Sequence, residues 1–359
     1  MNISNICDKF LIKGEFKSFD IITTGNINTT YKVVTNDAGV EYQYLVQRIN
    51  KNVFKEPEKI MENIILANDY IEKFPKPKDI NVLSFIKTAN QKPYYVDELG
   101  NFWRVCVYFD CVCFDLTDNL FVIEEAGKAF GEFQYLFDGF DASKLNITIN
   151  DFHNTKKRIC DFENNLKHCI NSRKAECKEE INYILQNKSI GELLCNMYEQ
   201  GLLPIRVTHN DTKCNNVIFE KGTLKALAVI DLDTLMPGLC GYDFGDGARS
   251  ICCTTNEDEL DLTKVSFDLV RFESFSKGYF KYLKDIVTKE EIETFAQSVY
   301  IMTYELALRF LSDYLSGDIY FKIKSEKHNL DRARCQIALC KDIYNKLNEI
   351  DAIIKREFN

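Results

Sequence analysis

Over the first hundred positions, apolar and polar residues alternate in short runs. The segments FDIITTGNINTTYKVVT, EYQYLVQRIN, INVLSFIKT, KPYYVDE and NFWRVCVYF are rich in β-branched and aromatic residues. Gly, Asn, Asp and Pro divide them, which is the pattern of strands joined by turns. One run breaks the alternation. Pro57 follows Glu56 where a helix opens, and Ile60, Ile64, Ala67 and Ile71 then recur at helical spacing. Beyond about residue 115 the period lengthens. Ile123, Ala126, Phe130, Phe133 and Phe137 make one apolar stripe, and residues 155–200 and 257–350 also read as helices. The expected fold is α+β and bilobal. A small antiparallel sheet lobe with one helix spans residues 1–108, a hinge covers 109–114, and a larger, mainly helical lobe covers 115–359.

One strand-like stretch interrupts the helical half, VTHNDTKCNNVIFEKGTLKALAVIDLDT at 207–234. Glu220-Lys221-Gly222-Thr223 has the composition of a turn. Folding the chain there runs 216–219 antiparallel to 226–231, and Asn216 falls close to opposite Asp231. Val217, Ile218, Phe219, Leu227, Val229 and Ile230 hold the ribbon in a core, so its polar ends meet at one mouth. Divalent cations that bridge phosphates take oxygen ligands. Asn216 offers a carboxamide oxygen and Asp231 a carboxylate, while Asp211, five residues before Asn216, is placed to orient a hydroxyl and accept its proton. His-x-Asp, then Asn, then a hairpin and Asp are the parts of a phosphoryl-transfer site of the protein-kinase type. A polar turn capping a hairpin would explain any one of these residues, but not all four at countable offsets in a chain with four histidines. His209 is expected to brace the loop by hydrogen bonding, with proton transfer as its lesser role.

Composition narrows the partners. The 359 residues are 45% hydrophobic and 28% charged, with net charge −9, and no basic patch stands out. Neither nucleic acid nor an anionic membrane surface is an expected partner. No targeting segment or membrane-length apolar run is evident, so a cytoplasmic location is expected. The fourteen cysteines lie mostly among apolar neighbours without paired C-x-x-C spacing. They read as buried reduced thiols rather than disulfides or a zinc site.

HNDTKCNNVIF followed by VIDLDTLMPGLCGYDFGDGARS resembles the aminoglycoside phosphotransferase and choline kinase superfamily, which shares the protein-kinase-like fold. Within it, TTGNINTTY, LVQRINKNVFKEPEKIMENI, WRVCVYF, FHNTKKR and ELALRFLSDYLSGDIYF…HNLDRARCQ are most similar to the N-acetylhexosamine 1-kinases. The resemblance spans nearly the whole chain. It implies an ATP- and Mg²⁺-dependent phosphotransferase acting on the anomeric hydroxyl of an N-acetylhexosamine.

The remaining site residues follow from that frame. TTGNINTTY, residues 23–31, resembles the loop that covers the nucleotide phosphates, with Gly25 its single glycine and Asn26, Asn28 and Thr29 as side-chain donors. Arg48 takes the place of the strand lysine of protein kinases, and Glu62 on the following helix is the candidate acid to hold it. Asp243 and Asp246 open a helix, where acids suit free N–H groups; Asp243 is expected to brace the catalytic loop. Asp233 stands open between the metal and solvent on the adenine side. Glu305, Arg309 and Asp313 recur at four-residue spacing. They are either a self-neutralising row or a polar face gripping sugar hydroxyls, with Arg309 prominent and Tyr320 its neighbour. His153 reads as a satisfied structural residue. Competing readings are an aminoglycoside or choline-type kinase of the same fold, a nucleotide-binding pseudokinase scaffold, and a zinc protein.

Overall fold

The structure is a computed structural model and describes residues 2–23 and 28–359. Its N-terminal part is an antiparallel five-stranded sheet in the order Glu15–Ile22, Thr29–Asp37, Val40–Ile49, Phe102–Val107, Tyr95–Val96. Successive side chains in a strand face opposite sides, and the two faces of this sheet meet different cores. Val33, Tyr44, Val46, Trp103 and Val105 pack with Ile3, Ile6 and Phe10 in a small core. Those last residues belong to or follow a short helix, Ile3–Cys7, that the sequence pattern did not announce. Ile49, Phe102 and Cys106 turn the other way and join the large core that runs through the rest of the chain.

The helix Pro57–Lys73 opens at its proline and buries Ile60, Ile64, Ala67 and Ile71, the stripe read from the sequence. INVLSFIKT is mostly not strand. Phe85 and Thr88 make single antiparallel bridges to Cys106 and Phe10, and Asn81–Val82 lies parallel to Ala226–Val229 in a second sheet completed by Val217–Glu220 and Cys111–Val112. Residues 257–268 are not helical except for the single turn Leu262–Lys264.

The helical part is built on close backbone approach. Helix Leu120–Leu136 crosses helix Leu269–Phe280 at three glycines. A Cβ at Gly127 would lie 2.2 Å from the Phe275 carbonyl oxygen, at Gly131 1.9 Å from that of Tyr279, and at Gly278 2.0 Å from that of Glu124. Only glycine allows this contact, because a methyl group cannot approach a backbone oxygen below van der Waals distance. The pairing sets Phe130 and Phe133 edge-on to the His209 ring at 5.9 and 5.8 Å. The long helix Lys289–Ser316 starts at a capping box between Thr288 and Glu291 and stops at Gly317, whose φ is +96°. No helix among the described residues is long and apolar enough to cross a membrane.

Candidate active site

The segment Thr208–Asn216 leaves a short strand, Arg206–Thr208, that pairs with Met236–Gly238. Its backbone is held by side chains from behind. Asp243, on helix Cys240–Ile251, accepts the His209 and Asn210 N–H groups at 2.8 and 2.7 Å and the Gln134 amide at 2.7 Å. Burial pushes the Asp243 carboxyl up, and these hydrogen bonds work against it. Asp246 accepts the Thr212 N–H at 2.9 Å and is itself paired with Arg249. His209 donates from Nε2 to the Ile230 carbonyl at 2.8 Å and accepts the Asp211 N–H at Nδ1, 3.3 Å away. Its proton therefore sits on Nε2, and both ring nitrogens are used to tie the loop to the hairpin.

The hairpin has the counted register. Val217 faces Val229, Ile218 faces Ala228, and the Ile230 N–H donates to the Asn216 carbonyl at 2.9 Å. Asn216 is thus brought beside Asp231. The strand ends there because Asp231 takes left-handed backbone angles, φ 60° and ψ 53°, a conformation rare for non-glycine residues and common at functional turns. Asn216 donates from Nδ2 to the Asp211 carbonyl at 2.7 Å and to Asp211 Oδ2 at 3.1 Å. With its nitrogen so fixed, Oδ1 is the atom left to meet a cation. Among the described residues, neither that oxygen nor the Asp231 carboxylate has a protein partner. Asp231 keeps an exposed face yet is crowded by protein. Desolvation raises its pKa to about 7, and the negative charges of Asp233 and Asp211 push the same way. Unpartnered hard oxygens amid clustered negative charge fit a divalent cation bridging phosphates. No group of three His, Cys, Asp or Glu side chains among the described residues is placed to hold a metal, nor is any disulfide formed by the fourteen cysteines.

Asp211 is partly exposed, its side chain at 31%. Burial would raise its pKa, but the positive Lys213, 3.2 Å from Oδ1, and hydrogen bonds from Lys213 and Asn216 hold it below the ordinary range. It is therefore ionised near neutrality and able to accept a proton. Lys213 is a residue the sequence reading passed over. Its signal was in plain view, since it stands two residues after the aspartate and three before the asparagine.

On the nucleotide side the structure changes part of the expected picture. Gly25 and Asn26 lie outside the described residues. Asn28 donates from Nδ2 to Asp233 Oδ2 at 2.7 Å and accepts the Asn50 N–H at 3.0 Å. Arg48 is exposed, and its nearest described partner is Thr29 Oγ1 at 3.4 Å. Arg48 and Glu62 form no ion pair. Glu62 lies on the outer side of its helix and accepts the Asn146 amide at 3.0 Å. The inward position belongs to the next residue, Asn63, which is 1% exposed and donates to the Asn146 and Leu235 carbonyls, both at 2.9 Å. A helix turns about 100° per residue, so neighbours cannot share a face. Asp233 faces neither the cleft nor solvent. It is 2% exposed and paired with the equally buried Arg104 at 2.5 Å. Arg104 also donates to Gln47 at 2.9 Å.

A cavity of about 360 Å³ is lined by Phe152, Arg158, Asp161, Arg309, Asp313 and Tyr320 among others, and Phe152 adjoins His153, which meets the Asn210 carbonyl. The guanidinium of Arg309 stands over the rings of Phe152, Phe321 and Tyr320 at 5.4, 5.5 and 6.0 Å. It has no carboxylate or hydrogen-bond partner among the described residues. Of the acids of the same helix, Asp313 lines the cavity and Glu305 does not, and the oxygens of both are engaged within the protein. Glu305, 1% exposed, accepts from His153 Nδ1 at 2.9 Å and Thr155 Oγ1 at 2.6 Å. Asp313 accepts the Ile319, Tyr320 and Phe321 N–H groups at 2.9, 2.8 and 2.9 Å, and the Asn329 amide at 2.9 Å. Both acids shape the pocket from within the protein.

Comparison with known proteins agrees with this architecture. The phosphotransferase enzyme family model matches residues 113–273, the segment that carries Asp211, Asn216 and Asp231. A microcompartment-associated aminopropanol kinase superposes with TM-score 0.64 at 14% identity, over 97% of this chain and 98% of that one. A choline kinase from Cryptosporidium parvum Iowa II gives 0.61 at 15% identity, over 99% of both chains. A spectinomycin phosphotransferase solved with ADP and spectinomycin gives 0.60 at 12% identity, over 97% and 98%. The fold is the bilobal, protein-kinase-like one. Together with the family match, it supports the aminoglycoside phosphotransferase and choline kinase superfamily.

Proposed function

We propose that this chain is an ATP-dependent sugar kinase that moves the γ-phosphoryl group of ATP to the anomeric hydroxyl of an N-acetylhexosamine. The observation that carries the choice of acceptor is Arg309, a guanidinium in the cavity with three aromatic neighbours and, among the described residues, no direct ion pair. Arg158 shares the cavity wall. Burial lowers the Arg158 pKa most; Arg309's charge acts the same way, against Glu305. A cationic acceptor, choline or an aminoglycoside, would meet two arginines there, while of the two carboxylates in the wall Asp161 is paired with Lys157 and Asp313 is taken up by backbone N–H groups. A neutral polyol with an acetamide carbonyl offers the lone pairs that a guanidinium takes, and the aromatic rings offer faces for its C–H surface. The anomeric position follows from the sequence resemblance.

In this reading Asp211 orients the acceptor hydroxyl and takes its proton, and Lys213 stands beside the transferring group. Asn216 Oδ1 and Asp231 would hold Mg²⁺, whose charge would offset that of the nucleotide phosphates. Asn28, Thr29 and Arg48 would meet the phosphates. Most of the rate comes from positioning and charge stabilisation.

The test is an acceptor screen with ATP and Mg²⁺ over N-acetylglucosamine, N-acetylgalactosamine, kanamycin and choline, with phosphorus NMR locating the new phosphate. The expected product is a hexosamine 1-phosphate. Preferential turnover of kanamycin or choline overturns the reading, and nucleotide binding without any turnover points to a scaffold.

A further inference from the structure

The peptide unit between Asn210 and Asp211 is gripped at both ends by imidazoles. Its N–H donates to His209 Nδ1 at 3.3 Å, and its carbonyl oxygen faces His153 Nε2 at 3.0 Å. The unit needs holding. Asn210 has φ 64°, in the left-handed region, and the direction of the Asp211 side chain depends on that bend. A carbonyl oxygen only accepts, so His153 carries a proton on Nε2. Its Nδ1 faces Glu305 Oε1 at 2.9 Å, and Thr155 Oγ1 donates to the other oxygen of that carboxylate at 2.6 Å. Arg158 approaches Glu305 at 3.6 Å. Desolvation alone would raise the Glu305 pKa, but His153, Arg158 and Arg309 together hold it down at about 2. Glu305 is therefore ionised where it meets Nδ1. The remaining neighbours of the ring are aromatic, Phe152 at 4.6 Å and Tyr242 at 5.2 Å.

We propose that His153 is a positioning residue for Asp211: an imidazole anchored by Glu305 that fixes the carbonyl end of the peptide carrying the base. The adjoining Phe152 makes the same anchor sensitive to the acceptor. Its ring lies under Arg309 in the cavity, while its carbonyl takes the Arg158 Nε–H at 3.1 Å. One dipeptide thus touches the acceptor cavity on one side and the catalytic loop on the other. The proposal rests on Asp211 being the base.

Two measurements test it. The first is ¹⁵N NMR of histidine-labelled full-length protein, with the His153 signals assigned by their loss in His153→Gln. His153 is expected to carry its Nε2 proton in a hydrogen bond to the Asn210 carbonyl. A ring with Nε2 unprotonated overturns the proposal. Should His153→Gln not fold, Glu305→Gln serves instead, since losing the partner at Nδ1 should shift the ring signals. The second is kinetic. His153→Gln should lower kcat by roughly 10²-fold, the cost of a misplaced reacting group, with the ATP KM and ADP affinity within about twofold of wild type. An unchanged kcat per nucleotide-binding site reduces His153 to a packing residue and sinks the idea. If wild-type protein phosphorylates no acceptor, the sugar-kinase reading fails, while the NMR result still decides the state of His153.

Discussion

Two pairs of acids sit within a short distance of the proposed acceptor, and they differ in how much oxygen surface they keep. Asp211 and Asp231 lie at the mouth of the hairpin, the first 31% exposed and the second open to solvent on one side. Glu305 and Asp313 lie on the long helix at 1% and 6% exposure, with their oxygens occupied by His153, Thr155, Asn329 and three backbone N–H groups. A carboxylate's task is set by what its oxygens have left to bind. By that measure the first pair is available for chemistry, and the second is part of the scaffold.

The sharpest way to break the contrast is to neutralise one acid of each kind. Asp211→Asn should lower turnover by roughly 10²–10⁴-fold, the usual worth of a positioned acid or base. Its folding stability should stay within about 0.5 kcal/mol of wild type. Near-normal turnover would remove Asp211 as the base. Asp313→Ala should do the reverse. It strands four donors around Ile319–Phe321 and Asn329, so urea unfolding should show a loss of about 3 kcal/mol. An unchanged midpoint would mean that the loop does not depend on this acid. Arg309→Ala should raise the acceptor KM by roughly 10- to 100-fold, the worth of a charge-assisted hydrogen bond. The ATP KM should hold, and a rise in both would place Arg309 outside the acceptor cavity.

The smallest effect is a pH dependence. The Glu305 pKa is depressed from 4.5 to about 2 in the folded chain. Its contribution is therefore complete above the unfolded value near 4.5 and is lost as pH falls toward 2. Stability of the wild type should drop across that window, and Glu305→Gln should flatten that part of the curve. A mutant curve parallel to wild type would show that Glu305 is not the group responsible.

The catalytic loop was legible because its information is local. His209, Asp211 and Asn216 lie within eight residues, and Asp231 follows a hairpin whose turn can be counted. The sheet, the first long helix and the apolar stripes were legible for the same reason. The pairs that complete the site were not. Arg104 and Asp233 are 129 residues apart, and His153 and Glu305 are 152 apart. No periodicity links them. Glu62 illustrates a different limit: the helix was read correctly, but one residue of rotation decides between it and Asn63. Lys213 was legible and was missed, because its neighbours already accounted for the loop.

The buried pair of Arg104 and Asp233 has a mechanical consequence. It fastens the N-terminal sheet to the turn just beyond Asp231. Parting the sheet from the helical body would break this pair together with the Asn28 bond to the same carboxylate, so the two contacts tie both parts of the chain to one turn.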